Sequence, residues 1–173
     1  MIELERTYLA RETPVELEKC EHKTIIDIYI PRESKHPSLR LRKNGDRYRL
    51  TKKEPVNIGN NSEMKEETIV LTEREFNSLN KDIKGKRVKK VRYQYKYKNN
   101  TAEIDIFQEN LKGLILVDFE FNTTEEKNNF KMPDFCLVEV TQEEFIAGGM
   151  LCGKSYKDIN DKLEKFEYKK LLY

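Results

Sequence analysis

Tryptophan is absent from this 173-residue chain, histidine occurs twice and cysteine three times. An odd set, Cys20, Cys136 and Cys152, without C-x-x-C spacing supports neither a disulfide framework nor a thiolate zinc site, and is read as buried thiols. His22 and His36 fall in helix-end and loop contexts, so imidazole chemistry has little to draw on. No run of about eighteen apolar residues occurs, which leaves no membrane-spanning helix. The opening MIELER lacks the basic-then-apolar pattern of a signal peptide, and a cytoplasmic location is expected. Neither sign of charge prevails: 33 basic residues face 31 acidic ones, a formal net charge of +2. That balance argues against a dedicated nucleic-acid binder by bulk charge, although the signs can still be separated in space. Length and a 37% hydrophobic content fit one domain over residues 1–173.

Charge is what the chain has in quantity, and it falls on one parity. In IELERTYL, Glu3, Glu5 and Thr7 alternate with Ile2, Leu4 and Tyr8. LRLR sets Arg40 and Arg42 against Leu39 and Leu41, and RYRLTKK sets Arg47, Arg49, Thr51 and Lys53 against Tyr48 and Leu50. MKEETIVL is less regular, with Lys65 and Glu67 on one face. VKKVRYQYKY opposes Lys90, Arg92, Gln94 and Lys96 to Val91 and three tyrosines. AEIDIF carries Glu103 and Asp105, and LILVDFEF carries Asp118 and Glu120, each opposite apolar residues. Period-two alternation is the signature of strands with two unlike faces. With TIIDIYI at 24–30 and FCLVEV at 135–140, about nine strand segments are expected.

Helices are announced by Ser or Thr followed three residues later by an acid, the capping-box pattern: Thr13/Glu16, Thr72/Glu75, Thr123/Glu126, Thr141/Glu144 and Ser155/Asp158. Pro14 is placed for a first helical position. The last pair opens YKDINDKLEKFEYKKLL, where Tyr156, Ile159, Leu163 and Phe166 recur at helical spacing and predict a packed C-terminal helix. GGMLCGKS, 148–155, spells a P-loop, G-x-x-x-x-G-K-S, yet that mechanism needs a strand feeding the loop. TQEEFIA upstream predicts a helix instead, and no β-α-β rhythm surrounds it. Gly153 is read as ending one helix and Ser155 as capping the next.

Alternating strands usually form a half-exposed sheet, polar side out. Here the polar faces are sorted by sign: Glu3/Glu5, Glu103/Asp105 and Asp118/Glu120 are acidic pairs, while Arg40/Arg42, Arg49/Lys53 and Lys90/Arg92 are basic ones. Converging carboxylates repel unless a cation lies among them, and an oxygen-only donor set selects a hard ion, Mg²⁺ or Mn²⁺. Converging guanidinium and ammonium groups call for a polyanion, because Arg forks onto phosphate oxygens. A sheet closed into a barrel would turn both sets inward and leave the helices outside.

In their order along the chain these residues resemble the CYTH, or triphosphate tunnel metalloenzyme, family. ELERT at 3–7 is similar to the family's ExExK, with Thr7 in place of the lysine. DIY at 27–29 resembles D-x-Y, LRLR at 39–42 L-R-x-R, and LTKK at 50–53 L-T-x-K. KKVRY, EID and GLILVDFEF resemble the later K-x-R, E-x-D and G-L-x-x-x-E-x-E segments, with Asp118 replacing one glutamate. The resemblance implies an α+β, mainly antiparallel β fold: an eight-stranded closed tunnel with a charged interior, flanked by short helices and a C-terminal helix. One of the nine segments would then lie outside it.

It further implies a metal-dependent hydrolase of triphosphates, acting through metal-activated water, with inorganic tripolyphosphate as the simplest substrate. Glu3, Glu5, Asp118 and Glu120 would hold Mg²⁺ or Mn²⁺, with Glu103 and Asp105 lining the tunnel beside them. Arg40, Arg42, Lys53, Lys65, Lys90 and Arg92 would bind phosphate, and Glu3, Glu5, Lys53 and Arg92 would act in catalysis. Arg47 and Lys96 are expected at the rim or surface. The expected partner is a small triphosphate, with no membrane, and the chain a monomer or homodimer. Thr7 carries no charge where the family has lysine, so a non-catalytic polyphosphate, nucleotide or RNA-binding module is the alternative reading. Adenylate cyclase or thiamine triphosphatase activity on the same fold is a further one. The mixture of bases and aromatics in KGKRVKKVRYQYKYK, 84–98, suits RNA contacts or, more simply, a hairpin whose tyrosines are packed.

Overall fold

A computed structural model describes residues 2–82 and 86–173. Nine antiparallel strands form one sheet: β1 (Ile2–Ala10), β2 (His22–Ile30), β3 (Leu39–Asn44), β4 (Arg47–Asn57), β5 (Asn60–Leu71), β6 (Lys86–Tyr97), β7 (Asn100–Phe107), β8 (Ile115–Phe121) and β9 (Cys136–Glu139). Their order is β5-β4-β3-β2-β6-β7-β8-β1-β9, and an added β5–β1 pairing closes the first eight into a barrel. Closure uses only the start of β1, with Ile2, Glu3 and Leu4 opposite Lys65, Met64 and Glu63. The same edge of β1 is therefore free further along, where Tyr8 and Leu9 pair with Glu139 and Val138 of β9. β9 is the segment outside the tunnel.

The two faces of the strands separate as their alternation predicts. Outward-facing Ile104, Val117, Phe119 and Tyr8 join Phe135 and Phe130 in one apolar cluster. Each fully buried large side chain of this kind contributes about 1.5–3 kcal/mol over an exposed one. A second cluster lies on β2–β4, where Phe76 of α1 (Glu73–Asp82) packs on Ile28, Leu41 and Tyr48. The third closes one end of the barrel. Val88, Phe107 and Leu116 share the inward parity of Lys90, Asp105 and Asp118, yet they pack against Ile146, Leu151, Ile159 and Leu163. The segment after β9 thus caps an interior that is charged elsewhere.

Several local expectations are corrected. Thr13/Glu16 starts no α-helix: Glu16 has a φ of 63°, and only a 3₁₀ turn, Leu17–Lys19, follows. Thr141 does not cap either, because its hydroxyl accepts the Thr7 backbone N–H (3.0 Å) and donates to Glu139 (2.8 Å). TQEEFIA accordingly yields a 3₁₀ turn, Glu144–Ile146, before the four-residue α3 (Gly148–Leu151). Close packing explains the glycines there: a Cβ on Gly148 would run into the Tyr29 hydroxyl, and one on Gly149 into the Pro37 carbonyl. No strand feeds the GKS sequence. Gly153, at a φ of 74°, ends α3, and the Ser155 N–H donates to Asp158 (2.7 Å) at the start of α4 (Tyr156–Glu164). α4 is shorter than its apolar stripe predicts, since Glu167 turns left-handed (φ 57°) and the tail folds back. The Thr72 and Thr123 boxes form as expected, the latter capping α2 (Thr124–Asn129). Cys136 and Cys152 are buried, whereas Cys20 is partly exposed. Among the described residues no helix is long and apolar enough to cross a membrane.

Candidate functional site

The barrel encloses a cavity of about 970 Å³. Strand parity delivers the polar side chains to it: Glu3, Glu5 and Thr7 from β1, Arg40 and Arg42 from β3, Arg49, Thr51 and Lys53 from β4, Lys90 and Arg92 from β6, Glu103 and Asp105 from β7, Asp118 and Glu120 from β8. Lys65 does not arrive there. It is on the outer face, exposed and paired with Glu67 (2.8 Å), while its neighbours Met64 and Glu66 line the cavity. The inward phase of β5 is set by its pairing with β4, which places Thr68 on Thr51 with hydroxyls 2.9 Å apart. Lys96 and Arg47 are outside the cavity wall, as expected, and exposed.

Acid and base interlock across neighbouring strands. Asp27 on β2 takes two parallel hydrogen bonds from Arg42, from Nε (2.6 Å) and Nη2 (2.7 Å), with Arg40 3.9 Å away. Lys53 lies between two carboxylates, 2.9 Å from Glu3 and 2.8 Å from Glu5. Arg92 forks onto Asp105 (2.7 and 2.6 Å), pairs with Glu103 and reaches Asp118 at 3.5 Å. Lys90 pairs with Asp105. The Thr7 hydroxyl donates to Asp118 Oδ1 at 2.7 Å. Glu120 makes no hydrogen bond or ion pair among the described residues.

These contacts set the proton affinities. Burial would raise the Asp27 carboxyl, but the Arg42 and Arg40 charges hold it well below the usual carboxylate range. Burial likewise opposes the Asp105 charge, and Arg92 and Lys90 overcome it, bringing the carboxyl down to about 2. Lys53 is raised because Glu5 and Glu3 outweigh its desolvation. Lys90 goes the other way: burial lowers it despite Asp105, with Arg92 and Arg42 adding repulsion. Asp118 is pushed up to about 6 by burial and by the Asp105 charge. Glu120 is pushed up to about 7 by desolvation and by Glu103, Glu3 and Glu5.

No family model matches the chain, and no curated protein matches its sequence. Solved structures do match. The inorganic triphosphatase NE1496 is 26% identical, with 87% of this chain and 93% of that one covered, at a TM-score of 0.63. The chain shares its fold with this triphosphatase. PH1012 from Pyrococcus horikoshii OT3 has the same fold at 21% identity, with 96% and 91% covered and a TM-score of 0.52. So has the adenylate cyclase candidate bh2851 of Bacillus halodurans, at 14% identity, 99% and 92% covered, TM-score 0.52.

Four features of the cavity lie beyond the site residues that the sequence singled out. Asp27, 1% exposed, anchors Arg42; its place in D-x-Y was the available signal. Arg49 lines the wall without any hydrogen bond or ion pair among the described residues. Glu66 faces inward where Lys65 was expected. His36 and Glu144, 3.1 Å apart, join two loops at the capped end, a contact 108 residues long in sequence that no local pattern signals. The first residues of 84–98, Lys84 and Gly85, lie outside the described residues. Of the remainder, Tyr93 packs on Tyr173, Tyr95 on Phe135, and Tyr97 on Phe119 and Phe135.

The donor set fits a hard divalent cation in its chemistry. Glu3, Glu5, Asp118 and Glu120 offer only oxygen to one cavity, and burial, with neighbouring acids adding to it, raises Asp118 and Glu120. Among the described residues no three such side chains are already drawn into a metal-ligating group. Lys53 meanwhile neutralises Glu3 and Glu5, so a cation has to compete with it for them.

Proposed function

We propose that this protein hydrolyses triphosphates, with inorganic tripolyphosphate as the reference substrate and Mg²⁺ or Mn²⁺ as cofactor. One observation carries the reading: one cavity inside the barrel gathers the bases of β3 and β6 together with the carboxylates of β1 and β8. Arg40 adds to it, since its buried Nε has no hydrogen-bond partner and an anion would supply one. The likeness to the triphosphatase NE1496 agrees with this.

Arg40, Arg42, Lys90 and Arg92 grip the phosphoryl oxygens and stabilise charge as it moves onto the leaving group. Asp27 and Asp105 fix the Arg42 and Arg92 forks in advance, so little reorganisation is left for the reaction. Glu3, Glu5, Asp118 and Glu120 are the oxygen donors for the metal. When bound, the cation neutralises phosphate oxygens and lowers the pKa of an attacking water. Lys53 is held between Glu3 and Glu5, two of those donors. No side-chain nucleophile is needed.

The test is phosphate release from tripolyphosphate, pyrophosphate, ATP and thiamine triphosphate with and without Mg²⁺ or Mn²⁺. Metal-dependent release from tripolyphosphate and not pyrophosphate is expected. Glu3→Gln/Glu5→Gln should abolish it, a loss of at least about a hundredfold for a lost metal site, while keeping a cooperative thermal transition. Full activity in that variant removes these carboxylates from the mechanism. Thr7 favours a second reading. Its hydroxyl is spent on Asp118 and brings no positive charge to the phosphate, as suits a binding protein without turnover. Tripolyphosphate binding without release under any metal would select that reading.

A further inference from the structure

Thr141, only 8% exposed, has the sequence pattern of a helix cap but uses its hydroxyl to join β1 to β9. The oxygen accepts the Thr7 N–H at 3.0 Å. Its proton goes to Glu139 Oε1 at 2.8 Å, nearer than the Thr7 carbonyl at 3.5 Å. A carboxylate can only accept, so Glu139 fixes the direction of this hydroxyl and leaves its lone pairs to Thr7. Glu139 is steadied in turn by Arg6 at 3.3 Å.

The Val140 N–H donates to the Thr7 carbonyl at 2.8 Å, so both backbone groups of Thr7 are engaged on the side away from β8. Thr7 and its register partner Asp118 are therefore a non-hydrogen-bonded pair, the kind whose side chains lie closer. Threonine is stiff at χ1, and the Thr7 hydroxyl meets Asp118 Oδ1 at 2.7 Å. One line of hydrogen bonds thus runs from the surface pair Arg6–Glu139 through Thr141 and Thr7 to a carboxylate on the cavity wall.

We propose that Thr141 is a positioning residue for the metal-binding carboxylates: it fixes the Thr7 backbone, and through the Thr7 hydroxyl it keeps Asp118 turned as an oxygen donor for a divalent cation. This rests on the metal-assisted reading above. Asp118 has a competing partner, since its Oδ2 is already 3.5 Å from Arg92 Nη2. A charged hydrogen bond is the stronger attraction, and without the hydroxyl the carboxylate swings onto that guanidinium and is lost as a donor. Thr7 restrains it without neutralising it. The strand outside the tunnel gains a purpose, because β9 is what carries Thr141 to β1.

Calorimetric titration of the whole chain with Mn²⁺ alone tests this. Thr141→Val keeps the shape and removes the hydroxyl, and Mn²⁺ affinity should fall about tenfold or more, as for other partners that orient a metal ligand. Thr7→Val should cost as much. Thr7→Val/Thr141→Val should lose no more than Thr7→Val alone, because both act on Asp118 through one link. Thr141→Ser restores the hydroxyl and should bind within about twofold of the wild type. If Thr141→Val loses its cooperative thermal transition, Thr141→Ala takes its place under the same outcomes. Unchanged Mn²⁺ affinity in either single variant, independent losses that combine in the double variant, or a serine variant as weak as the valine one would overturn the role of Thr141 and leave the metal reading standing. A wild type that binds no Mn²⁺ ends this proposal, and ends the hydrolase reading only if metal-dependent phosphate release fails as well.

Discussion

Asp27 and Arg42 form a closed unit inside the tunnel, two hydrogen bonds on one carboxylate that is 1% exposed. Removing one member of a buried pair leaves the other charged and dry, which costs about 3–5 kcal/mol. Asp27→Asn keeps the volume and loses the charge, so it should destabilise by that amount and leave Arg42 and Arg40 without their anchor. Calorimetric or denaturant unfolding measures it; a change under about 1 kcal/mol, the size of an exposed pair, would place Asp27 in contact with solvent. Thr7 illustrates the opposite economy. A hydroxyl 2.7 Å from Asp118 holds that carboxylate's geometry without neutralising it, and Asp118 stays raised to about 6.

At the level of elements, the cap on the barrel depends on where α4 stops. Past Glu164 the chain turns at Glu167, and Tyr168 enters the core with its hydroxyl accepting from the Ile115 N–H (2.8 Å) and donating to the Gly113 carbonyl (2.9 Å). Those two bonds tie the tail to the start of β8, the strand bearing Asp118 and Glu120. Tyr168→Phe takes the buried partner from the Ile115 N–H, while the Gly113 carbonyl keeps the Leu171 N–H (3.0 Å), and a loss of about 1–3 kcal/mol is expected. Faster amide exchange at Ile115 in the variant checks the location as well as the magnitude; unchanged exchange there would contradict the tie.

For the whole molecule, the tunnel's carboxylates give stability two opposing pH limbs. Asp105, depressed to about 2, and Asp27, depressed further, contribute fully above the ordinary carboxylate range of about 4. Their contribution is lost as pH falls from there through their folded values. Asp118 and Glu120, raised to about 6 and about 7, act in reverse, because the folded protein holds protons that the unfolded chain has released. Their ionisation removes stability as pH rises from about 4 through 7. Metal-free protein should therefore melt higher near pH 5 than near pH 8 and lose stability again below about pH 4. Mg²⁺ should shrink the alkaline loss. A melting temperature that climbs steadily from pH 5 to 8 in EDTA would contradict the crowding of these acids.

Period-two patterning was enough by itself to set the number of strands, their inward parity and the sorting of acids from bases, because a side chain's face on a strand follows from its position alone. It failed where the face depends on a partner. The inward phase of β5 comes from its register with β4, so Glu66 and not Lys65 faces the cavity. Capping patterns were decisive at Thr72, Thr123 and Ser155, where competition is local, and were overridden at Thr141 by a hydrogen bond to Thr7, distant in sequence. Tertiary structure alone decided which charges are paired. Lys53 between Glu3 and Glu5, Asp27 on Arg42, and Arg49 with no ion pair among the described residues all follow from how the strands pair and close, since electrostatic neighbours are fixed by distances across strands that no spacing along the chain encodes.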